Sequence, residues 1–141
     1  MKKYVTLWLC LALLLTACAN TNQEATTEPK IQPAEVNYQG QYLDYDNNEP
    51  NLQIAKRADG KYTVQIGIFR LTRISDGVGE VTEAGLRFTA TDAAGNPIAG
   101  IITLEGEIAT VTFTDSTWAY LENGASYQYK KSSDTPNIWS E

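Results

Sequence analysis

From position 37 onward, apolar and polar residues alternate with a period of two. In Tyr62-Thr63-Val64-Gln65-Ile66-Gly67-Ile68, the side chains of Tyr62, Val64, Ile66 and Ile68 share one face, and Thr63 and Gln65 share the other. Leu86, Phe88 and Ala90 alternate with Arg87, Thr89 and Thr91. Ala109, Val111 and Phe113 alternate with Thr110, Thr112 and Thr114, and Tyr127 and Tyr129 repeat the spacing. Residues that tolerate a positive φ punctuate these runs: Asp59-Gly60, Asp76-Gly77, Gly95-Asn96-Pro97, Glu105-Gly106 and Asn123-Gly124. The spacing predicts strands near 38–45, 51–57, 61–69, 71–75, 79–83, 86–92, 98–104, 108–114 and 126–131. Residues 118–122 fit either a short strand or one helical turn capped by Ser116. Eight or nine short strands, each paired with its neighbour in sequence, predict an all-β fold. Closure into a small antiparallel up-and-down β-barrel removes unpaired edges, and a two-sheet sandwich is the alternative. A barrel of this size is either filled by its own side chains or holds one small ligand.

The first 36 residues carry a different pattern. Lys2 and Lys3 precede an apolar run at 4–15, which is the layout of a secretory leader. That run is shorter than the roughly 20 apolar residues a membrane-spanning helix needs. Leu15-Thr16-Ala17-Cys18 follows, and it resembles a bacterial lipobox. The resemblance implies removal of 1–17 as signal peptide and attachment of a diacylglyceryl group and fatty chains to Cys18, making a membrane anchor. Each buried methylene contributes about 0.8 kcal/mol, so two or three chains hold stably where one holds only marginally. Ala19 follows the cysteine, and by the sorting rule of such lipoproteins the resemblance implies the outer membrane if the cell has one. Residues 18–36 then read as the lipidated cysteine and a disordered tether, rich in Asn, Thr, Gln, Glu and Pro and without an aromatic. Eighteen extended residues reach roughly 60 Å.

Composition sharpens this picture. All the aromatics beyond the leader lie at or after Tyr38, which sets the folded domain at 37–141. Cys10 leaves with the leader, so only Cys18 remains and no disulfide is available to the fold. The chain has no histidine, which removes Ser-His-Asp and Cys-His catalysis and imidazole metal sites. Its formal charge of −6 becomes −8 once Lys2 and Lys3 are gone, which argues against nucleic acid as a partner.

Several side-chain groups are candidates for function. Tyr38, Gly40 and Tyr42 share a face, and the tyrosines either floor a ligand cavity or fill a core. Asp44-Tyr45-Asp46-Asn47-Asn48-Glu49 has the alternating oxygens of half a calcium loop. However, Glu49 stands where that loop needs glycine and Ala55 where it needs glutamate, so a solvated turn is expected and no metal. Glu105 with Glu107, and Asp115 with Glu122, are the carboxylate pairs a hydrolase would use, although turn carboxylates are ordinarily exposed. Arg70, Arg73 and Arg87 either line an anion site or pair with surface acids. Trp118, Tyr120 and Tyr127, among small hydroxylated residues, have the chemistry of a protein- or glycan-contact patch, or else close the core. Ile138-Trp139 belongs to a tail that either docks on the barrel or frays.

Asp59-Gly60-Lys61-Tyr62 is similar to a hairpin found in lipocalin-like lipoprotein domains, which implies a small barrel on a lipid leash. Two other envelope lipoprotein families leave no residues to carry over. The C-type lysozyme inhibitors use a disulfide and a Ser-Gly-x-x-Tyr loop, and the copper-stress lipoprotein uses Cys-x-x-Cys; neither motif occurs. The expectation is a lipid-anchored extracytoplasmic binding module of the bacterial cell envelope that needs no cofactor and is not an enzyme. Its partner, a protein or glycan, would be met through barrel-end loops carrying Trp118 and Tyr120. A lipocalin-like carrier of a small apolar ligand, lined by Tyr38, Tyr42, Tyr62, Ile66 and Phe88, is the alternative, and a carboxylate hydrolase ranks last.

Overall fold

A computed structural model describes residues 35–140. The leader 1–17, Cys18 and the tether up to residue 34 lie outside the described residues. Among the described residues the alternation resolves into eight strands and no helix: β1 (Gly40–Asp44), β2 (Leu52–Lys56), β3 (Tyr62–Ile68), β4 (Thr72–Thr82), β5 (Gly85–Thr91), β6 (Pro97–Glu105), β7 (Ile108–Asp115) and β8 (Ser126–Ser133). Each strand pairs antiparallel with the next, and β1 pairs with β8, so the sheet closes into an up-and-down barrel. Closure leaves no edge strand, and the sandwich is excluded.

Two expected features differ. The separate strands at 71–75 and 79–83 are one continuous β4, and Asp76-Gly77 is not a turn. Opposite β3, Ile74 pairs with Ile66 and Gly77 with Val64, so one extra residue is accommodated there as a bulge. The glycine is present for space: a Cβ on Gly77 would lie 2.4 Å from the Val64 carbonyl oxygen. The true reversal falls at 83–84, where the Thr82 hydroxyl donates to the Gly85 carbonyl at 2.9 Å. Residues 118–122 form neither strand nor helix. They make a tight turn in which Leu121 N donates to Trp118 O at 3.0 Å, preceded by Trp118 N donating to Ser116 Oγ at 3.1 Å.

The inward series fills the barrel. Tyr42, Tyr62, Tyr129, Phe88 and Phe113 are the largest fully buried side chains. Phe88 and Phe113 meet edge to face at 5.7 Å, as do Tyr38 and Tyr62 at 6.2 Å. Gly100 faces Phe88 so closely that a Cβ would sit 2.6 Å from the ring. The small residue makes the space the aromatic occupies. Buried hydroxyls find partners: Tyr42 donates to Tyr38 O at 2.7 Å, and Tyr129 donates from β8 to Gly67 O on β3 at 2.9 Å. Desolvation, first of all, raises the pKa of both phenols well above the ordinary tyrosine value; Asp134 and two neighbouring tyrosines add to it at Tyr42, and Asp44 and Tyr127 at Tyr129.

The meander sorts the connections between two ends. The chain arrives through 35–39 at the end that carries the reversals 57–61, 83–84 and 106–107. The opposite end, termed the loop rim, carries 45–51, 69–71, 92–96 and 116–125.

Candidate functional site

The loop rim begins from Leu121, which is fully buried and packs into the core cluster from the 116–125 loop. Asn123 Oδ1 accepts from Ser116 N at 2.7 Å and ties the two ends of that loop together. With Leu121 inward, Tyr120 is turned to solvent and is 72% exposed. Trp118 leans on the core and meets the Tyr120 ring edge to face at 5.6 Å. Two further aromatics share this end: Tyr45, 59% exposed, and Phe69, 50% exposed. Phe69 lies under the Arg70 guanidinium at 5.0 Å, and Arg70 itself is held at φ +59°. A non-glycine residue in that region stores strain of roughly 1 kcal/mol or more, a feature that clusters at contact and switch sites.

Asp44 organises the 45–51 loop. Its Oδ1 accepts from Asp46 N at 2.9 Å, its carbonyl accepts from Asn48 N at 2.9 Å, and its own N–H donates to Glu49 O at 2.7 Å. The oxygen-rich run is thus a self-bonded turn. The 92–96 loop is built in the same way. Asp92 Oδ1 accepts from Ala94 N at 2.8 Å and from Asn96 N at 2.9 Å. These bonds, the one from Asn96 N foremost, hold the Asp92 carboxyl below the ordinary carboxylate range. Beside the rim, Asp44, Tyr45, Asp46, Tyr127 and Gln128 help to line an open concavity of about 340 Å³.

Nothing among known protein families, curated proteins or solved structures matches this chain. The site therefore rests on its own geometry.

The sequence-predicted residues separate into two groups. Tyr38 and Tyr42 are core residues, 4% and 0% exposed, and their buried faces are not available to a partner. Packing explains their burial, the core-filling alternative for these two tyrosines: Tyr42 spends its hydroxyl on the Tyr38 backbone, and Tyr38 meets Tyr62 edge to face. The residues expected to line a ligand cavity, Tyr38, Tyr42, Tyr62, Ile66 and Phe88, pack within that same core cluster. A concavity of about 310 Å³ does touch Tyr62, but its other walls are Lys56, Gln39 and the arriving segment 35–37, outside the interior. Trp118, Tyr120 and Tyr127 lie at the rim, with Tyr127 half-buried edge-on to Phe113 at 6.2 Å. Glu105 and Glu107 stand at the end opposite Asp115 and Glu122, and all four are exposed, as turn carboxylates ordinarily are. Arg73 stacks on Trp139 at 4.2 Å and Arg70 on Phe69, so aromatic faces take the place of the expected acidic partners.

Tyr45 and Phe69 were not anticipated, although a signal existed. Residues 40, 42 and 44 and residues 62, 64, 66 and 68 are the inward series of β1 and β3, and each aromatic falls one position out of phase. An out-of-phase aromatic at a strand end points away from the core.

Proposed function

We propose that the chain is a lipid-anchored module of the bacterial cell envelope that binds a protein or glycan partner through the loop rim. One observation carries this reading. Of six large hydrophobic residues exposed in the described structure, Tyr45, Phe69 and Tyr120 stand at this one end. Grouped exposed aromatics beside polar loops are the make-up of contact surfaces. The filled interior speaks for a contact module over a carrier, which would need a cavity.

A photo-crosslinking amino acid placed at position 120 of the full chain tests the contact. Position 81 is the control, since Val81 is 51% exposed near the opposite end. The expected outcome is a discrete adduct in living cells or on isolated envelopes from 120 and none from 81, abolished by Phe69→Ser. Equal labelling from both positions, or none from 120, sinks the proposal. Cys18→Ser should release the chain from the membrane fraction, and its retention there would remove the anchor.

A further inference from the structure

A second surface lies on the outer wall of β1, β2 and β3 and reaches the rim at the 69–71 loop. Gln41 pairs directly with Gln53, and Gln53 with Gln65, so three glutamines form one row across the strands. Outward polar side chains on a barrel are ordinarily solvated. Gln53 and Gln65, however, are 0% and 3% exposed.

The chain's own C-terminal tail covers them. Asn137 N donates to Gln53 Oε1 at 2.7 Å, and Trp139 N donates to Gln65 Oε1 at 2.6 Å. Gln65 Nε2 donates back to Trp139 O at 3.1 Å, so one side-chain amide engages both backbone groups of one residue. An antiparallel strand makes the same two-bond exchange with its neighbour. Two residues of extended chain advance roughly 6.6 Å, and adjacent strands are about 4.8 Å apart, so an oblique tail meets a glutamine at every second residue. The receiving amides are pre-oriented: Gln53 Nε2 donates to Pro50 O at 3.3 Å, and Gln65 Nε2 also donates to Ser75 O at 3.3 Å. Trp139 stacks at this seat, its indole facing the Arg73 guanidinium at 4.2 Å.

We propose that the glutamine row is a binding site for an extended peptide segment of a partner protein, one that offers its backbone to Gln53 and Gln65 and an aromatic side chain to Arg73. The resident tail is the competitor such a segment displaces. The tail is weakly invested: Asn137 is exposed, Ile138 is 41% exposed, and the hydrogen bonds to Gln53 and Gln65 are made by backbone atoms. Charge favours an acidic residue after the aromatic. Arg70 and Arg73, against the single carboxylate of Glu49, line a concavity of about 160 Å³ that adjoins Gly67, the residue paired with Arg73, and leave it one positive charge in excess. The tail of a second copy would bring only the contacts the resident tail already makes. A tethered segment holds an effective concentration on the order of mM, so only a richer ligand displaces it.

The test inserts a protease site between Ser133 and Asp134 of the full chain and cuts it after folding. The probe is a fluorescent peptide of the sequence 134–141, read by anisotropy. The cut chain is expected to bind it, and the uncut chain at least tenfold more weakly. Gln65→Leu in the cut chain, or N-methylation of the Trp139 amide in the peptide, should each lower affinity at least tenfold. A peptide extended by two glutamates should bind the uncut chain better than one extended by two glutamines. A folded cut chain that ignores the peptide at mM concentration overturns the site, as does binding indifferent to Gln65→Leu. A tail-dependent dimer of the uncut chain overturns the assignment to a partner protein. Should cutting unfold the barrel, uncut Trp139→Ala must bind the peptide more tightly than its parent, and failure there overturns the proposal equally.

Discussion

Phe88→Ala interrogates the filled interior on which the contact-module reading depends. Phe88 is fully buried, meets Phe113 edge to face at 5.7 Å and lies against Gly100. Removing the ring forfeits its burial, about 2–3 kcal/mol. It also forfeits an edge-to-face pair of about 0.5–1.5 kcal/mol and leaves a void in a closed cylinder that has little means to collapse. The total falls within the roughly 3–5 kcal/mol typical of such truncations. Against a domain stability of about 5–15 kcal/mol, that runs from roughly a fifth of the whole to nearly all of it. Urea unfolding followed by Trp118 and Trp139 fluorescence should therefore show a much lower midpoint with an unchanged slope. A loss below about 1 kcal/mol would mean that the ring was never tightly held. The interior would then be loose enough to admit a ligand, as a carrier requires.

Three other outcomes follow from the same packing and from the titrating groups. Gly100→Ala places a Cβ 2.6 Å from the Phe88 ring and 2.5 Å from Thr112 O, so it should destabilise by about 1–3 kcal/mol, and Phe88→Leu should restore only part because the backbone oxygen remains. The folded-state pKa of Asp92 is depressed, so its contribution is present above the unfolded value near 4 and is lost as pH falls below that; Asp92→Asn should lower the urea midpoint at pH 7 and flatten its decline between pH 4 and 2.5. Tyr42 and Tyr129 have raised folded-state values, so above pH 10 the unfolded chain alone releases these protons. Stability should then decline by roughly 1.4 kcal/mol per pH unit for each, and Tyr129→Phe should lessen the slope.

The barrel was legible because its inward residues keep step: 62, 64, 66 and 68 on β3, and 109, 111 and 113 on β7, are apolar and buried. The misread segment was β4, where Asp76-Gly77 has the chemistry of a reversal. A glycine that yields space to a facing strand and a glycine that turns the chain are the same letter, and only the neighbour across the sheet distinguishes them. The glutamine row stayed hidden for a related reason. Gln53 and Gln65 occupy outward positions where polarity ordinarily signifies water, and what covers them comes from more than 70 residues away in sequence. The rim was half legible: Tyr120 came from composition, whereas Tyr45 and Phe69 needed the phase of their strands.

The seam between β1 and β8 has a consequence for how the molecule is made. Gln41 and Ser132, hydrogen-bonded across it, stand 91 positions apart. A chain delivered from its N-terminus must hold seven strands with two raw margins until the eighth is released, and such margins readily capture other chains. Shortening the protein before position 126 would therefore leave no smaller barrel, only an open ribbon that seeks a substitute for its missing stave.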